Sequence, residues 1–548
     1  MSRLHCDEIS ADVIGFDLTA ITIKITITKE EMCTMNDIYN TPTNRLKLSL
    51  VATALCCVLT TNAQASQLDF GDNSEVSGSV DITLGYATSI RAQDADQDSW
   101  ATAPNVASDM RVPDAGDVIS NVFKVTAELG LDWRNYGFVG TLSYLYDTEI
   151  MNQDQADIGL SNGSNWTKAA EDYSGNNLEL LDAYVYGTFD IGENPLEVRV
   201  GKQVINWGEG LFFLDGISTQ VPLNINKLVT PGSELKEAYI GVEGVYLQMG
   251  IGESSSIEAY VQGNWRRTEM PPHATFYGDD AFFRGGQETG LRDSDVEADS
   301  QGQWGISGRT MLGQDSEVGL YYSSYHETFP FVQLTTPGSS SDLGSLLGLQ
   351  QYWPEDLDMF GTSLATTLGS WSINGEIAYR PDRPLFTNFV FNNESRNAEQ
   401  HDTVSASVHG IWLGGALPLG IDSQVLLVQL GADYVSGDLT NLMANSSITK
   451  GAANVDDLAY GVAIEWTGTW QGIIPGSDLS LDIYLQKDLH GNSHFWGNFA
   501  EDRLLGGITL TGSIGNAWEV NVGYSWTDQK NSHYDTQDVF NLSANYKF

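Results

Sequence analysis

Few residues in this chain could do chemistry, and their spacing mostly excludes it. All four cysteines, Cys6, Cys33, Cys56 and Cys57, precede Ala65, so the remainder offers no thiol nucleophile and no thiolate metal site. The run His490-Gly491-Asn492-Ser493-His494 places a serine beside histidines, the pairing that acyl transfer needs. It falls in an expected loop, and the sequence identifies no acid partner, so a hydrolase would rest on Ser493 alone. No Gly-rich phosphate loop occurs after residue 65. Asp94, Asp96 and Asp98 begin like a calcium loop. Ser99 stands where such a loop turns on glycine and Asn105 where it closes on an acid, which leaves a solvated acidic surface. Neither an enzyme nor a bound cofactor or metal is expected.

The other candidate residues lie in one stretch, Arg199 to Tyr239. It opens as a strand, with Leu196, Val198 and Val200 alternating with Glu197, Arg199 and Gly201, and breaks at Asn206-Trp207-Gly208-Glu209. About thirty residues with Gly, Pro and Asn punctuation follow before strand pattern resumes after Glu237. Leu211, Phe212, Phe213 and Leu214, with Val221, Pro222, Leu223 and Ile225, would form a costly apolar patch on an exposed loop. Folding the insertion, residues 206–236, into the interior of a barrel removes that cost. There Trp207, Glu209, Phe212, Phe213, Asn224, Glu234, Lys236 and Glu237 would form a constriction in contact with substrate, Lys236 pairing with Glu209 or a wall carboxylate. A clip that only closes the barrel is the equal alternative.

The elements that must position this stretch are strands. Val76, Gly78, Val80, Ile82, Leu84 and Tyr86 alternate with polar neighbours, as do Val125, Ala127, Leu129, Leu131 and Trp133, and Trp518, Val520, Val522, Tyr524 and Trp526. Short turns near Arg134–Gly137, Gly192–Pro195, Gly252–Ser255, Gly313–Ser316, Gly369–Ser370 and Gly515–Ala517 alternate with long polar loops, the signature of a membrane barrel with its short turns in the periplasm. The fold class read from this pattern is all-β, a transmembrane antiparallel up-and-down barrel of about eighteen strands, with 14 and 16 left open, closed because a sheet edge cannot remain open in lipid. The segment 404–434 is the least certain, since Gly414-Gly415 and Pro418 blur its turn. Trp133, Tyr136, Trp371, Trp470 and Trp518 at short-turn ends, and Trp265 and Trp526 at loop ends, fit two aromatic girdles.

Expected inward charges are Lys124, Glu128, Asp132, Asp182, Glu197, Arg199, Glu376, Arg380, Asp482 and Glu519. Acids outnumber bases, which favours cations in the lumen. Arg199 and Arg380 read better as paired struts across it. The net charge of −45, from 27 Lys+Arg and 72 Asp+Glu, excludes nucleic acid as a partner.

Arg45 and Lys47, the apolar run Leu48–Leu59 and the small-x-small site Ala63-Gln64-Ala65 read as a cleaved export signal over residues 35–65, which leaves 66–548 as the barrel. Residues 1–34 read as a misassigned start, with Met35 or Met32 the true one. The end alternates Phe540, Leu542, Ala544, Tyr546 and Phe548. Tyr546 and the terminal Phe548 look like the signal read by the outer-membrane assembly machinery, an expected partner together with the lipid bilayer.

Three stretches carry a resemblance: RVGKQVINWGEGLFF with VPLNINKL and PGSELKEA; YWPEDLDMFGTSLATTLGSWSINGEIAYRPDRPL, Tyr352 to Leu385; and DTQDVFNLSANYKF at the end. With them the chain resembles the outer-membrane family catalogued as domain of unknown function 1302. The resemblance implies an outer-membrane β-barrel of a Gram-negative bacterium. Members are often encoded beside a periplasmic lipid-carrier-like protein and an inner-membrane exporter of the resistance-nodulation type, which implies traffic of hydrophobic or lipid-like molecules. Gly210-Leu211 departs from the more polar family pattern, and the loops are more acidic. The expected function is a channel for hydrophobic or lipid-like small molecules, gated by residues 206–236. A general cation-preferring porin and a plugged docking barrel of an export complex stay open.

Overall fold

The computed structural model describes residues 15–18, 21–24, 66–68, 70 and, from 75 to 548, all except 95–113, 153–165, 274, 279–283, 290–292, 335–348, 387–397, 419, 441, 443–454, 496, 516 and 530–532. The chain divides into two compact units, Met1–Asn62 and Ala63–Phe548. The first contributes one described hairpin, Gly15–Leu18 paired with Ile21–Lys24. The signal segment, with Ala63 and Ala65, lies outside the described residues, as does the rest of 1–34.

In the second unit eighteen long strands are described. They are β1 (Val76–Arg91), β2 (Val118–Trp133), β3 (Tyr136–Asp147), β4 (Asn176–Ile191), β5 (Asn194–Gln203), β6 (Val242–Ile251), β7 (Ser255–Gln262), β8 (Trp304–Leu312) and β9 (Ser316–Tyr325). β10 (Leu357–Leu368), β11 (Trp371–Phe386), β12 (Ala398–Gly414), β13 (Ser423–Val435), β14 (Leu458–Ile474), β15 (Ser477–His490), β16 (Leu504–Ile514), β17 (Trp518–Asp528) and β18 (Val539–Lys547) follow. Each pairs antiparallel with the next, and β18 returns to β1 from Val539 opposite Arg91 to Lys547 opposite Thr83, so the sheet closes. Ser66–Gln67 pairs with Val80 and Ser79, just beyond the last residue of β1 that β18 reaches.

The alternation does what the period of two requires. One face of each strand carries exposed aliphatics, among them Leu320, Leu364, Ile377, Val408 and Leu430, and is suited to lipid. The other face carries the charged and polar residues that meet the insertion. Gly192, Gly252, Gly313 and Gly369 have positive φ, which only glycine adopts without strain, and they make the short turns at one rim.

Some expectations change in detail. β11 continues to Phe386 and β12 starts at Ala398, although Pro381 and Pro384 would ordinarily end a strand near 380. A register shift between Arg380 and Arg383 absorbs Pro381 and Asp382, the latter at φ 48°. The loop at 328–356 contains a two-stranded ribbon, Phe331–Leu334 with Leu349–Tyr352. Trp265 is not a girdle residue: it is buried against Trp353, and its indole N–H donates to the Glu327 carbonyl (3.1 Å).

Candidate functional site

After β5 the chain leaves the wall and crosses the barrel interior before rejoining it at β6. At one end the anchorage is to β2 and β3. A short 3-10 turn, Leu235–Glu237, brings Glu237 back to accept the Glu234 backbone N–H (2.8 Å). The same carboxylate meets Lys124 Nζ at 2.6 Å and accepts the Ser143 hydroxyl at 2.7 Å. Lys124 also donates to the Gly232 carbonyl. Burial pushes the Glu237 carboxyl up, but the Lys124 ammonium outweighs it and holds the group below its ordinary range. Lys236 pairs with the wall carboxylate Glu128 and with Glu234, not with Glu209. Asn224 caps a helix at Ile225–Val229, its side-chain oxygen accepting the Lys227 N–H (3.1 Å). Lys227 itself is buried and its ammonium finds no hydrogen-bond partner among the described residues; burial lowers it to about 8.

At the other end the anchorage spans β7 to the segment just before β16. The Trp207 indole donates to Glu258 (2.7 Å) and packs on Tyr260 and Tyr321. Glu209 stands 3.9 Å from Arg309. The carboxylate of Glu376 on β11 accepts the backbone N–H groups of Glu209 (2.6 Å) and Ile217 (3.3 Å). Gly208, Gly210 and Gly216 all lie against it, and a Cβ at 216 would overlap Glu376 Oε1. The insertion's backbone therefore wraps around a wall side chain, and at 216 the approach is one that only Gly permits. Gln429 of β13 accepts the N–H groups of Leu211 (3.1 Å) and Phe212 (2.7 Å). Asn498, before β16, bonds both the N–H and the carbonyl of Leu214 (2.8 and 3.0 Å). Phe212 packs on Tyr484, and Phe213 on Phe499.

The firmest joint is Asp215. Arg383 Nη1 donates to both of its carboxylate oxygens (2.9 and 2.8 Å), and Ser405 donates to one (2.9 Å). Arg380 Nη2 donates to the carbonyls of Asp215 and Gly216 (2.8 and 2.6 Å), while Arg383 Nη2 reaches Glu327 (2.8 Å). Full burial alone would raise the Asp215 carboxyl, but the Arg380 and Arg383 guanidiniums outweigh it and hold it well below the usual carboxylate range. Asp215 sits at φ 68°, so the backbone is bent to present this side chain.

Sequence reasoning found Trp207, Glu209, Phe212, Phe213, Asn224, Glu234, Lys236, Glu237, Glu376 and Arg380, and the structure brings all of them to this insertion or its seats. Arg199 is a correction: it pairs with Glu197 on its own strand and lies between the Tyr184 and Tyr246 rings, so it is not a strut across the lumen. Asp215, Arg383, Glu258, Gln429 and Asn498 escaped notice. The Arg380-Pro-Asp-Arg383 run was the available signal, because strict alternation would put the two arginines on opposite faces and only a bulge turns both inward. Tyr546 and Phe548 pack edge to face at 4.6 Å at the chain end. Ser493 has the acid neighbour that the sequence did not reveal, but its hydroxyl donates to Asp433 (2.6 Å), not to a histidine, which is not the order a serine nucleophile needs.

Among solved structures the chain is similar to OpdK from Pseudomonas aeruginosa, crystallised with vanillate (8% identity over 86% of this chain and 98% of that one, TM-score 0.43). It is also similar to OccAB1 from Acinetobacter baumannii (10% identity, 89% and 99%, TM-score 0.44) and to a BenF-like porin from Pseudomonas fluorescens Pf-5 (10% identity, 88% and 99%, TM-score 0.42). No curated protein matches it. The model of the family described as "Protein of unknown function (DUF1302)" matches residues 47–548, and the chain belongs to that family.

Proposed function

We propose that this protein is an outer-membrane channel for hydrophobic or lipid-like small molecules, with residues 206–236 as its constriction. The supporting observation is that the insertion is held at β2 and β3 by Glu237 and at β11 to β13 by Asp215, Glu209 and Phe212, so it runs across the interior. It carries Leu211, Phe212 and Phe213 with it. A closed barrel with an outward aliphatic face suits the outer membrane, where every backbone group must be satisfied by a neighbouring strand. No reaction is needed; selection comes from lumen polarity and the constriction.

The density of buried ion pairs holding the insertion favours a second reading, a plugged barrel that anchors an export complex through a periplasmic lipid-carrier-like protein and an inner-membrane exporter. Planar-bilayer conductance separates the readings. The refolded 66–548 chain is compared with a variant in which a Gly/Ser linker replaces 210–233, each checked for folding by the gel mobility of unheated samples. A closed or flickering parent beside a wide-open variant supports the constricted channel. Large steady conductance in both makes the barrel a general porin and the insertion a clip. Silence in both leaves the docking barrel.

A further inference from the structure

A cavity of about 90 Å³ lies between the first half of the insertion and the long-loop segments at 328–329 and 495. Its apolar walls include Phe213, Val221, Phe329 and Phe495, the last two packed edge to face at 4.8 Å. Glu376 forms part of its lining. That volume holds about three waters, or the end of an alkyl chain with its polar head.

Charge decides which head. Glu376 is buried and bonded only through backbone N–H groups, and no ion pair to it is found among the described residues. The N–H groups of Glu209 and Ile217 converge from two points of the insertion, and the protein's own carboxylate already occupies the place where they meet. An anionic head would therefore meet a buried negative charge whose own backbone donors are already taken. A cationic or neutral donor head would gain an acceptor.

We infer that this cavity is a binding subsite for small amphipaths with an apolar body and a cationic or neutral hydrogen-bond-donor head, and that it rejects carboxylates. The inference rests on the channel reading, since it supplies the insertion with a place for substrate to rest, but it is tested by equilibrium binding and not by flux. The conductance experiment can therefore fail while this one succeeds, and the reverse.

The test is saturation-transfer NMR on the refolded barrel in detergent at pH 7, with n-butylamine, 1-butanol and butyrate as matched probes. Transfer to butylamine and butanol, little to butyrate, and loss of both signals in Val221→Phe, which fills the cavity, is the expected result. Glu376→Gln should erase the preference for butylamine over butanol while butanol still binds. Should that variant not fold, Phe329→Ala on the loop side serves in its place and should weaken both ligands together. Equal transfer to butyrate, or signals that survive Val221→Phe, would overturn the assignment.

Discussion

Arg383 and Asp215 meet at 2.8 Å with 2% and 0% of their side chains exposed, and they join the wall of the barrel to the segment that crosses it. A charge pair this deep contributes less by its own attraction than by the cost of breaking it. Asp215→Asn would take the carboxylate from beside buried Arg380 and leave Arg383 with Glu327 alone. The expected loss is about 3–5 kcal/mol in the seating of the insertion, read as increased amide exchange across 206–236 in a barrel whose strands stay protected. Unchanged exchange would show that Ser405 and the backbone carbonyls suffice.

The opposite anchor, Lys124 with Glu237, should behave as a coupled pair. Lys124→Met and Glu237→Gln each remove one partner and strand the other, so each alone is expected to destabilise the fold more than half as much as both together. Urea unfolding of the two single variants and the double variant measures this. Strict additivity would show that Ser143 and the Gly232 carbonyl hold the joint independently.

Asp215 and Glu237 both sit below their ordinary carboxylate range when folded. A depressed folded value means that the stabilisation is complete above the unfolded pKa, about 4, and is lost as pH falls through the folded values. The insertion should therefore stay seated from neutral pH to about pH 5 and loosen only below about pH 4. Conductance against pH reads this directly. A transition near pH 6 would place control on a histidine instead.

Lys227 is the converse case. Its folded value of about 8 lies under the ordinary lysine range. The unfolded chain thus binds the proton more strongly, and stability should rise between about pH 8 and pH 10. Lys227→Met should abolish that rise and raise stability at pH 7 by about 1–3 kcal/mol, the scale of an unsatisfied buried polar group. Denaturant melts at pH 7 and pH 9.5 test both parts.

Gly216→Ala should unseat the insertion at a cost of about 1–3 kcal/mol, because its new methyl group collides with the Glu376 carboxylate. Gly415→Ala, at a position with open space around it, is the control and should be silent. Heat-induced mobility shift on gels would rank the two; equal behaviour would mean that Glu376 can swing aside.

Strand number, closure and the inward course of 206–236 were legible because alternation and misplaced apolar residues are local signals. Phe212 and Phe213 could be placed because an exposed patch of that size is unfavourable wherever the chain goes. Of the seats, Lys124, Glu128, Glu376 and Arg380 were legible as inward charges and the others were not. Gln429 and Asn498 are ordinary polar residues until the insertion's backbone arrives beside them, and Asp215 reads as a loop aspartate until Arg383 is turned inward. That turn depends on a bulge at Pro381-Asp382, which a period-two reading converts into the end of a strand. Arg199 failed for a related reason: alternation gives the face of a side chain, not its partner.

The two anchors also differ in when they can exist. Glu237 finds Lys124 among residues already synthesised, 113 positions back. Glu258 and Arg309 apart, the hydrogen-bonding receptors on the far side come 159 to 284 positions after the segment they hold. During biogenesis the crossing segment is therefore tethered early on one side and must wait for the second half of the chain on the other. Strand addition and ring closure therefore proceed while one side of the crossing segment is still unseated. Barrel assembly in this protein is thus timed by its contents as well as by its edges, and a variant with a weakened late anchor should accumulate as a closed, empty ring.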